Sequence, residues 1–534
     1  KCSKTSAAHA IWRSTMGVTS GKWYWEVLCT AVGGAAPYIG CQQSDDAADG
    51  WASYLGDSSS DFSWSNLGYT YDGGVGTSGN FTTYTAGDIL GFAVDCDGAT
   101  LKCYKNNVLA GTLSNLIANK IVIPAGSAYS STPVQAVNFG SDSSFAGAKT
   151  AQGNQDGNSI GDFYYEPPTD YLALCTSNLD DPEIALPADN FNTVTYAGDG
   201  TEDRGVTGVG FQPDFTWIKE YEEPTYRPAH VLMDSVRGAA SIMFTNTTEG
   251  EKTHPDAWTT LWGWFDSFDS DGFSVSDGDN NGNFNASPDR TYESWNWLAG
   301  GSGVANTTGT IDSTVSANTT AGFSIITYTG VYPQDPATIG HGLSSAPELV
   351  IVKRRNTDGG WWIVGSNEMT SWDYYMGLND TGAQASGGYF DTTAPTASVI
   401  RLRDDNDATV NGNGNTYVAY AFHSVEGYSK TGSFLGNNAT DGSFLYLGFR
   451  PAYVLIKAIT ATSDWSITDN KINTYNALTG WLEANTDDDL NTDGYLDFVS
   501  NGIKFRNNNA AFNAAQTYLY IAFAESPFKY ANAR

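Results

Sequence analysis

The sequence predicts an all-β protein made of tandem antiparallel β-sandwich domains, and three observations carry that prediction. Charged residues make up only 16% of the 534 positions, too few for the charged outer faces of long helices. The 58 Gly, 30 Tyr and 16 Trp suit strands closed by tight turns. Several short stretches alternate side chains with the period of a strand, and one strand pattern returns three times at a long interval. At roughly 100–200 residues per domain, the length allows about three to five domains.

The charge balance excludes whole classes of partner. There are 27 Lys+Arg against 59 Asp+Glu, a net −32. Such a surface repels nucleic acid and anionic membranes. No apolar run is long enough to span a bilayer, and residues 1–25 lack the apolar core of a signal peptide, so no membrane insertion is expected. The scarcity of Lys and Arg leaves few trypsin-like cleavage sites, which suits an extracellular protein. The six cysteines, Cys2, Cys29, Cys41, Cys96, Cys103 and Cys175, include no CxxC pair and are read as buried thiols.

The first strand is read at residues 20–27, where Trp23 and Trp25 alternate with Tyr24 and Glu26. Residues 38–41 form a second. Residues 87–105 read as strand, Asp97-Gly98 turn and strand, with another turn at Asn106-Asn107. Residues 134–139 close the set, and Trp23, Trp25 and Phe92 are expected in the core. Together "GKWYWEV", "YIG", "GDILGFAVDCDGATLKCYKNN" and "VQAVNFG" resemble a SPRY domain over about residues 17–145. The resemblance implies a bent, concanavalin-like sandwich that binds partners through loops and is not an enzyme. Residues 1–147 are assigned to it and 148–187 to a connector.

The remainder repeats. Pro213 is followed six residues on by Lys219, Pro347 by Lys353 and Pro451 by Lys457, each pair bracketing a mostly apolar strand. Upstream stand Tyr196-Ala197-Gly198, Tyr328-Thr329-Gly330 and Phe434-Leu435-Gly436. Downstream, a Thr-Tyr strand carries an aromatic five residues past the Tyr: Tyr292/Trp297, Tyr417/Phe422 and Tyr518/Phe523. Order, spacing and chemistry agree three times, which places sandwich repeats at 188–305, 306–427 and 428–534. Residues 307–320 are expected to be a linker.

"GVGFQPDFTWIK", "HVLMDSVRGAASIMFTNTTEGE", "TYESWNWLAGG" and "IGHGLSSAPELVIVKRR" resemble a family of tailed-phage virion proteins frequent in phages of marine bacteria. Its members often place a SPRY-like domain before the repeats and end in a tail like "AFAESPF…NAR", as this chain does. The resemblance implies a fibre-like or spike-like protein of the virion surface. The acidic, Pro-containing segment 221–227 departs from the family pattern.

Catalytic signatures are missing: the five His make no HExxH and no short metal spacing, and no Gly-x-Ser-x-Gly elbow or phosphate loop is present. His230 and Asp234 could act as base and acid, but Asp234 and Arg237 read better as a loop ion pair. A carboxylate pair for glycan cleavage cannot be chosen among 59 acids. Acidic turns offer weak Ca²⁺ candidates at Asp269, Asp271, Asp487 and Asp489, and 404–407 is another acidic turn; Ca²⁺ is the one cofactor considered. Flat rings suit sugar faces, and the contact candidates are Trp64, Tyr69, Trp258, Trp262, Trp264, Trp361 and Trp362. The expectation is a non-enzymatic virion-surface protein adhering to host glycan or supporting the adhesion apparatus, with other virion proteins as neighbours and a homotrimer as its assembly. A capsid decoration protein and a glycan-cleaving spike are the alternatives.

Overall fold

The computed structural model describes all residues except 1, 4–9, 33–36, 44–53, 57, 119, 129–133, 223–227, 279–281, 287–289, 335, 404–407 and 532–534. Most of segment 221–227 and all of 404–407 lie outside the described residues. The fold is all-β, with one α-helix, Ala257–Trp262, among the described residues. The chain divides into two compact units, Lys1–Asp180 and Asp181–Arg534.

The first unit is a two-sheet sandwich. One sheet places Lys22–Ala31 between Val134–Asn138 and Ile89–Asp95, and continues through Thr100–Lys105 to Val108–Leu113. The other centres on Tyr38–Gln43, between Val122–Ala128 and Asp61–Ser65. Trp23, Trp25, Phe92, Cys41 and Cys103 fill the space between the sheets, with Trp25 stacked on Phe92 at 5.6 Å. Asn106 and Asn107 have positive φ of 47° and 66°, the backbone a tight hairpin turn requires. Cys29, Cys41, Cys96 and Cys103 are buried free thiols, and Cys175 is half-buried.

Most of the expected connector belongs to this unit. The strand Leu172–Ala173 pairs in parallel with Lys22–Ala31, and Phe163, Tyr171 and Ala173 cover Tyr24. The buried Glu26 carboxylate accepts the backbone N–H groups of Tyr164 and Tyr165, both at 2.8 Å. Lys22–Ala31 is thus buried on both faces, so Tyr24 and Glu26, alternating with the tryptophans, face a second layer and not water.

In the second unit each repeat builds the same five-stranded antiparallel core. Repeat 1 orders Phe191–Ala197, Thr291–Trp297, Phe215–Glu220, Val231–Asp234 and Ser241–Phe244. Repeat 2 orders Phe323–Thr329, Thr416–Phe422, Leu349–Arg354, Trp362–Ser366 and Tyr374–Gly377. Repeat 3 orders Ser429–Leu435, Thr517–Pro527, Phe449–Ala458, Ser466–Asp469 and Leu482–Glu483. A smaller sheet covers one face of each and encloses a private core, such as Ile218, Met233 and Phe273 in repeat 1. Residues 307–320 are not a linker: Ser313–Asn318 is a strand joining the edge of the repeat 2 sheet, with Val315 inward. Pro213 and Pro347 precede their strands, whereas Pro451 lies within one, at a register shift that relieves its missing donor.

The other face of every sheet is apolar too, and all three meet. Phe215, Trp217, Trp295 and Trp297 of repeat 1 share one cluster with Leu349, Ile351, Tyr420 and Phe422 of repeat 2 and Tyr453, Leu455, Ile521 and Phe523 of repeat 3. At its centre is a cavity of about 30 Å³, lined by residues of all three repeats. A void this apolar offers water no partner.

The aromatic marks explain themselves. Tyr196 stacks on Tyr292, Tyr328 on Tyr417 and Phe434 on Tyr518, at 5.0, 5.0 and 5.2 Å. The Gly two residues on is required by close approach: a Cβ on Gly198, Gly330 or Gly436 would meet a carbonyl oxygen at 2.1, 2.3 or 2.1 Å. Beside each pair sits a buried Asn that the sequence reading passed over. The Oδ1 atoms of Asn285, Asn411 and Asn513 accept the N–H groups of Asp199, Val331 and Asn437. Asn513 also donates Nδ2 to Asn437 Oδ1, Ala439 O and Asn507 O. Asn513→Ala therefore strands buried backbone groups, with an expected loss of about 1–3 kcal/mol in urea unfolding of the full chain. A loss no larger than that of an exposed Asn→Ala change would contradict this role.

Candidate functional site

The repeat lysines lie at the seams between repeats. Lys219, Lys353 and Lys457 are fully buried, on the same strand face as Trp217, Ile351 and Leu455. Lys353 Nζ donates to Thr247 O of repeat 1 at 3.3 Å, and Lys457 Nζ to Thr381 O of repeat 2 at 3.0 Å. Lys219 Nζ donates to Asp487 O of repeat 3 at 3.2 Å. Each repeat thus reaches back to the one before, and the first reaches the last, closing a ring of three seams. Burial pushes the three ammonium groups down, to about 8 for Lys219, 7 for Lys353 and 8 for Lys457.

Two further bonds repeat around the ring. Trp362 Nε1 donates to Phe244 O at 2.6 Å and Trp465 Nε1 to Gly377 O at 2.7 Å; the third position holds His230, whose Nε2 lies 3.1 Å from Glu483 O. The backbone N–H groups of Glu251, Gln384 and Leu490 donate to the carbonyls of Arg355, Ile459 and Tyr221. These are neighbours across seams 1–2, 2–3 and 3–1.

Seam 3–1 differs chemically from the others. Glu293 is fully buried where repeats 2 and 3 carry Val418 and Leu519. Its Oε2 accepts Thr195 Oγ1, and its Oε1 has no hydrogen-bond partner. Burial, and then the charge of Asp469, push its carboxyl well above the usual range. Asp469 accepts Trp295 Nε1 at 3.0 Å and the N–H groups of Lys471 and Ile472.

The His230–Asp234 acid-base reading does not fit. Asp234 Oδ2 accepts Arg237 Nε at 2.5 Å and Tyr420 Oη at 2.8 Å, while Oδ1 takes two backbone N–H groups. The Arg237 side chain is fully buried and also pairs with Glu251, which holds Arg355. This network ties repeat 1 to repeat 2.

The aromatic candidates separate by exposure. Trp64 and Trp362 are fully buried and cannot be contact residues: Trp64 packs on Phe81 and Tyr84, and Trp362 is a seam staple. Trp361 and Tyr69 are 43% and 41% exposed. Trp258, Trp262 and Trp264 are half-buried around the helix Ala257–Trp262. Trp258 packs edge-on against Phe244, and Trp264 stacks on His254 at 4.3 Å while donating Nε1 to Asp266. Asp256 caps the helix by accepting Thr259 N. Sequence reasoning could not separate Trp361 from Trp362, because which neighbour faces the seam depends on the register with Lys353.

Of the calcium candidates, the Asp269 and Asp271 carboxylates accept hydrogen bonds from within the chain: Asp269 accepts Ser267 and Ser274 hydroxyls, and Asp271 accepts Gly208 and Gly210 N–H groups. Asp487 lends its carbonyl to Lys219, and Asp489 Oδ1 is buried without a hydrogen-bond partner. Among the described residues no group of three or more His, Cys, Asp or Glu is placed to hold a metal ion. No helix of the described residues is long and apolar enough to cross a membrane.

A family described as "Domain of unknown function (DUF7483)" matches residues 186–527. No curated protein matches the chain. Among solved structures, the SPRY domain of human HERC1 is similar at 21% identity, over 25% of this chain and 82% of that one, with a TM-score of 0.21. A human SPRY domain is similar at 17% identity, over 25% of this chain and 84% of that one, with a TM-score of 0.20.

The seam lysines make stability pH-dependent. With Lys353 near 7 when folded and at an ordinary 10.5 when unfolded, the folded state holds fewer protons across that window, so this lysine's contribution to stability rises with pH there. Lys353→Met removes that slope. The full chain is expected to gain on the order of 2 kcal/mol over the variant between about pH 7 and 10 in urea unfolding. A constant difference between them would contradict the assignment.

Proposed function

The chain belongs to the DUF7483 family, and from that premise we propose that it is a non-enzymatic surface protein of a tailed-phage virion, fibre-like or spike-like, that adheres to host-surface glycan or supports the adhesion apparatus. The observation that carries the adhesive part is the tryptophan-rich insertion of repeat 1. Its helix Ala257–Trp262, capped by Asp256, carries Trp262 half-buried at its end, and the neighbouring half-buried Trp264 donates Nε1 to Asp266. Rings at the surface with carboxylates near them suit sugar faces and hydroxyls. Trp361 and Tyr69 are further exposed rings. The resemblance of 205–345 and of the C-terminal tail to phage virion proteins supports the virion setting. The net charge of −32 supports a partner that is neither nucleic acid nor anionic lipid.

Trp262→Ala and Trp361→Ala, made singly and together, are expected to weaken glycan-array binding or adsorption to host cells by about ten-fold or more while shifting unfolding by under about 1 kcal/mol. Unchanged binding in the double variant would remove these rings from the contact. Labelling of the phage head and not the tail by antibody-gold would favour decoration, and release of reducing sugar from host glycan would favour a cleaving spike.

A further inference from the structure

The three seams act as one another's controls, and only one places a titratable imidazole at the stapling position. The equivalence is set by register: Lys353 pairs with Trp362, Lys457 lies beside Trp465 and Lys219 beside His230. Indole does not titrate; imidazole does. His230 is fully buried. Its Nδ1 accepts Trp217 Nε1 at 2.9 Å, which leaves the proton on Nε2 to donate to Glu483 O. Only neutral imidazole makes this pattern. A second ring proton would set N–H against N–H at Trp217, beside the Lys219 ammonium.

The groups around it leave this charge uncompensated. Lys219 faces it from Phe215–Glu220 and Glu483 from Leu482–Glu483, while Glu293 and Asp469 belong to other strands of the same seam and Asp487, Asp488 and Asp489 act on Lys219. Burial, and then the Lys219 charge, hold the seated imidazole well below its usual range, so proton uptake in acid favours the unseated ring. Burial raises the Glu293, Asp469 and Glu483 carboxyls, whose protonation favours the closed seam, so the opening must come from His230. The seam is also the one the chain does not cross. Seams 1–2 and 2–3 are spanned by continuous backbone. Seam 3–1 joins the two ends of the unit, where Asp181 accepts Lys529 Nζ at 2.8 Å and Tyr530 Oη at 2.9 Å.

We propose that seam 3–1 is an acid-operated latch: charging His230 disengages Trp217 and Glu483 and frees the edge strand Leu482–Glu483, while seams 1–2 and 2–3 stay closed. The test is amide hydrogen exchange on the full chain at about pH 7.5 and about pH 5, corrected for intrinsic rates. Protection in 480–486 is expected to fall by about ten-fold or more in acid, while the matching segments 242–246 and 375–379 keep theirs. In His230→Gln, whose amide can accept from Trp217 and donate to Glu483 without titrating, the acid loss should vanish. Equal behaviour of all three segments overturns the latch, as does an acid loss that persists in His230→Gln. If that variant does not fold, the comparison of the three segments in the unmodified chain decides.

Discussion

The structure depends on a single constraint: the main sheet of each repeat is apolar on both faces. The central strands Thr291–Trp297, Thr416–Phe422 and Thr517–Pro527 are buried almost throughout. A small sheet covers one face of each. The other face, with Trp295 and Trp297 or Tyr420 and Phe422, would otherwise expose several large rings to water, at roughly 25 cal/mol per Å². Three such faces turned toward one another remove all of that surface at once. The ring, its seams and its central cavity follow from this arrangement.

Closing the ring brings strand ends together, and these carry polar backbone that must find partners. The buried lysines meet that need. An ammonium on a long stem can span a seam and donate to carbonyls of two repeats, as Lys353 does to Thr247 and Gly360. A shorter polar side chain would not reach, and an apolar one would leave the carbonyls bare. The desolvation that depresses these lysines is the cost of the same geometry.

Much of this was legible in the sequence, and the rest failed for identifiable reasons. The Pro-Lys strands, the aromatic marks that flank them and the Asn106-Asn107 turn could be read because local spacing fixes them, whereas the stacking of Tyr196 on Tyr292 and its counterparts, between strands far apart in sequence, could not. That Lys219, Lys353 and Lys457 bond across repeats could not, since period-two alternation tells which residues share a face but not what covers it. The burial of Glu26 was hidden for the same cause: an alternating strand looks half-exposed until a second layer lands on it. Asn285, Asn411 and Asn513 were hidden by drift in spacing, standing seven, six and five residues before Tyr292, Tyr417 and Tyr518. An alignment of the three repeats anchored on the tyrosine would have shown them. Ser313–Asn318 passed for a linker because its side chains are small and polar, though Val315 and its neighbours keep strand alternation.

Here three repeats of one chain surround one core, which frees each seam to diverge. In a homotrimer, an imidazole at one stapling position would appear at all three, and so would a buried glutamate. A single chain can keep indole at two seams and place His230 and Glu293 at the third. Covalent continuity makes that choice uneven: two seams re-form at high effective concentration because short backbone spans them, while the third is held only by its contacts. Titratable groups gathered at the seam with no covalent tether can change the state of the ring without taking it apart.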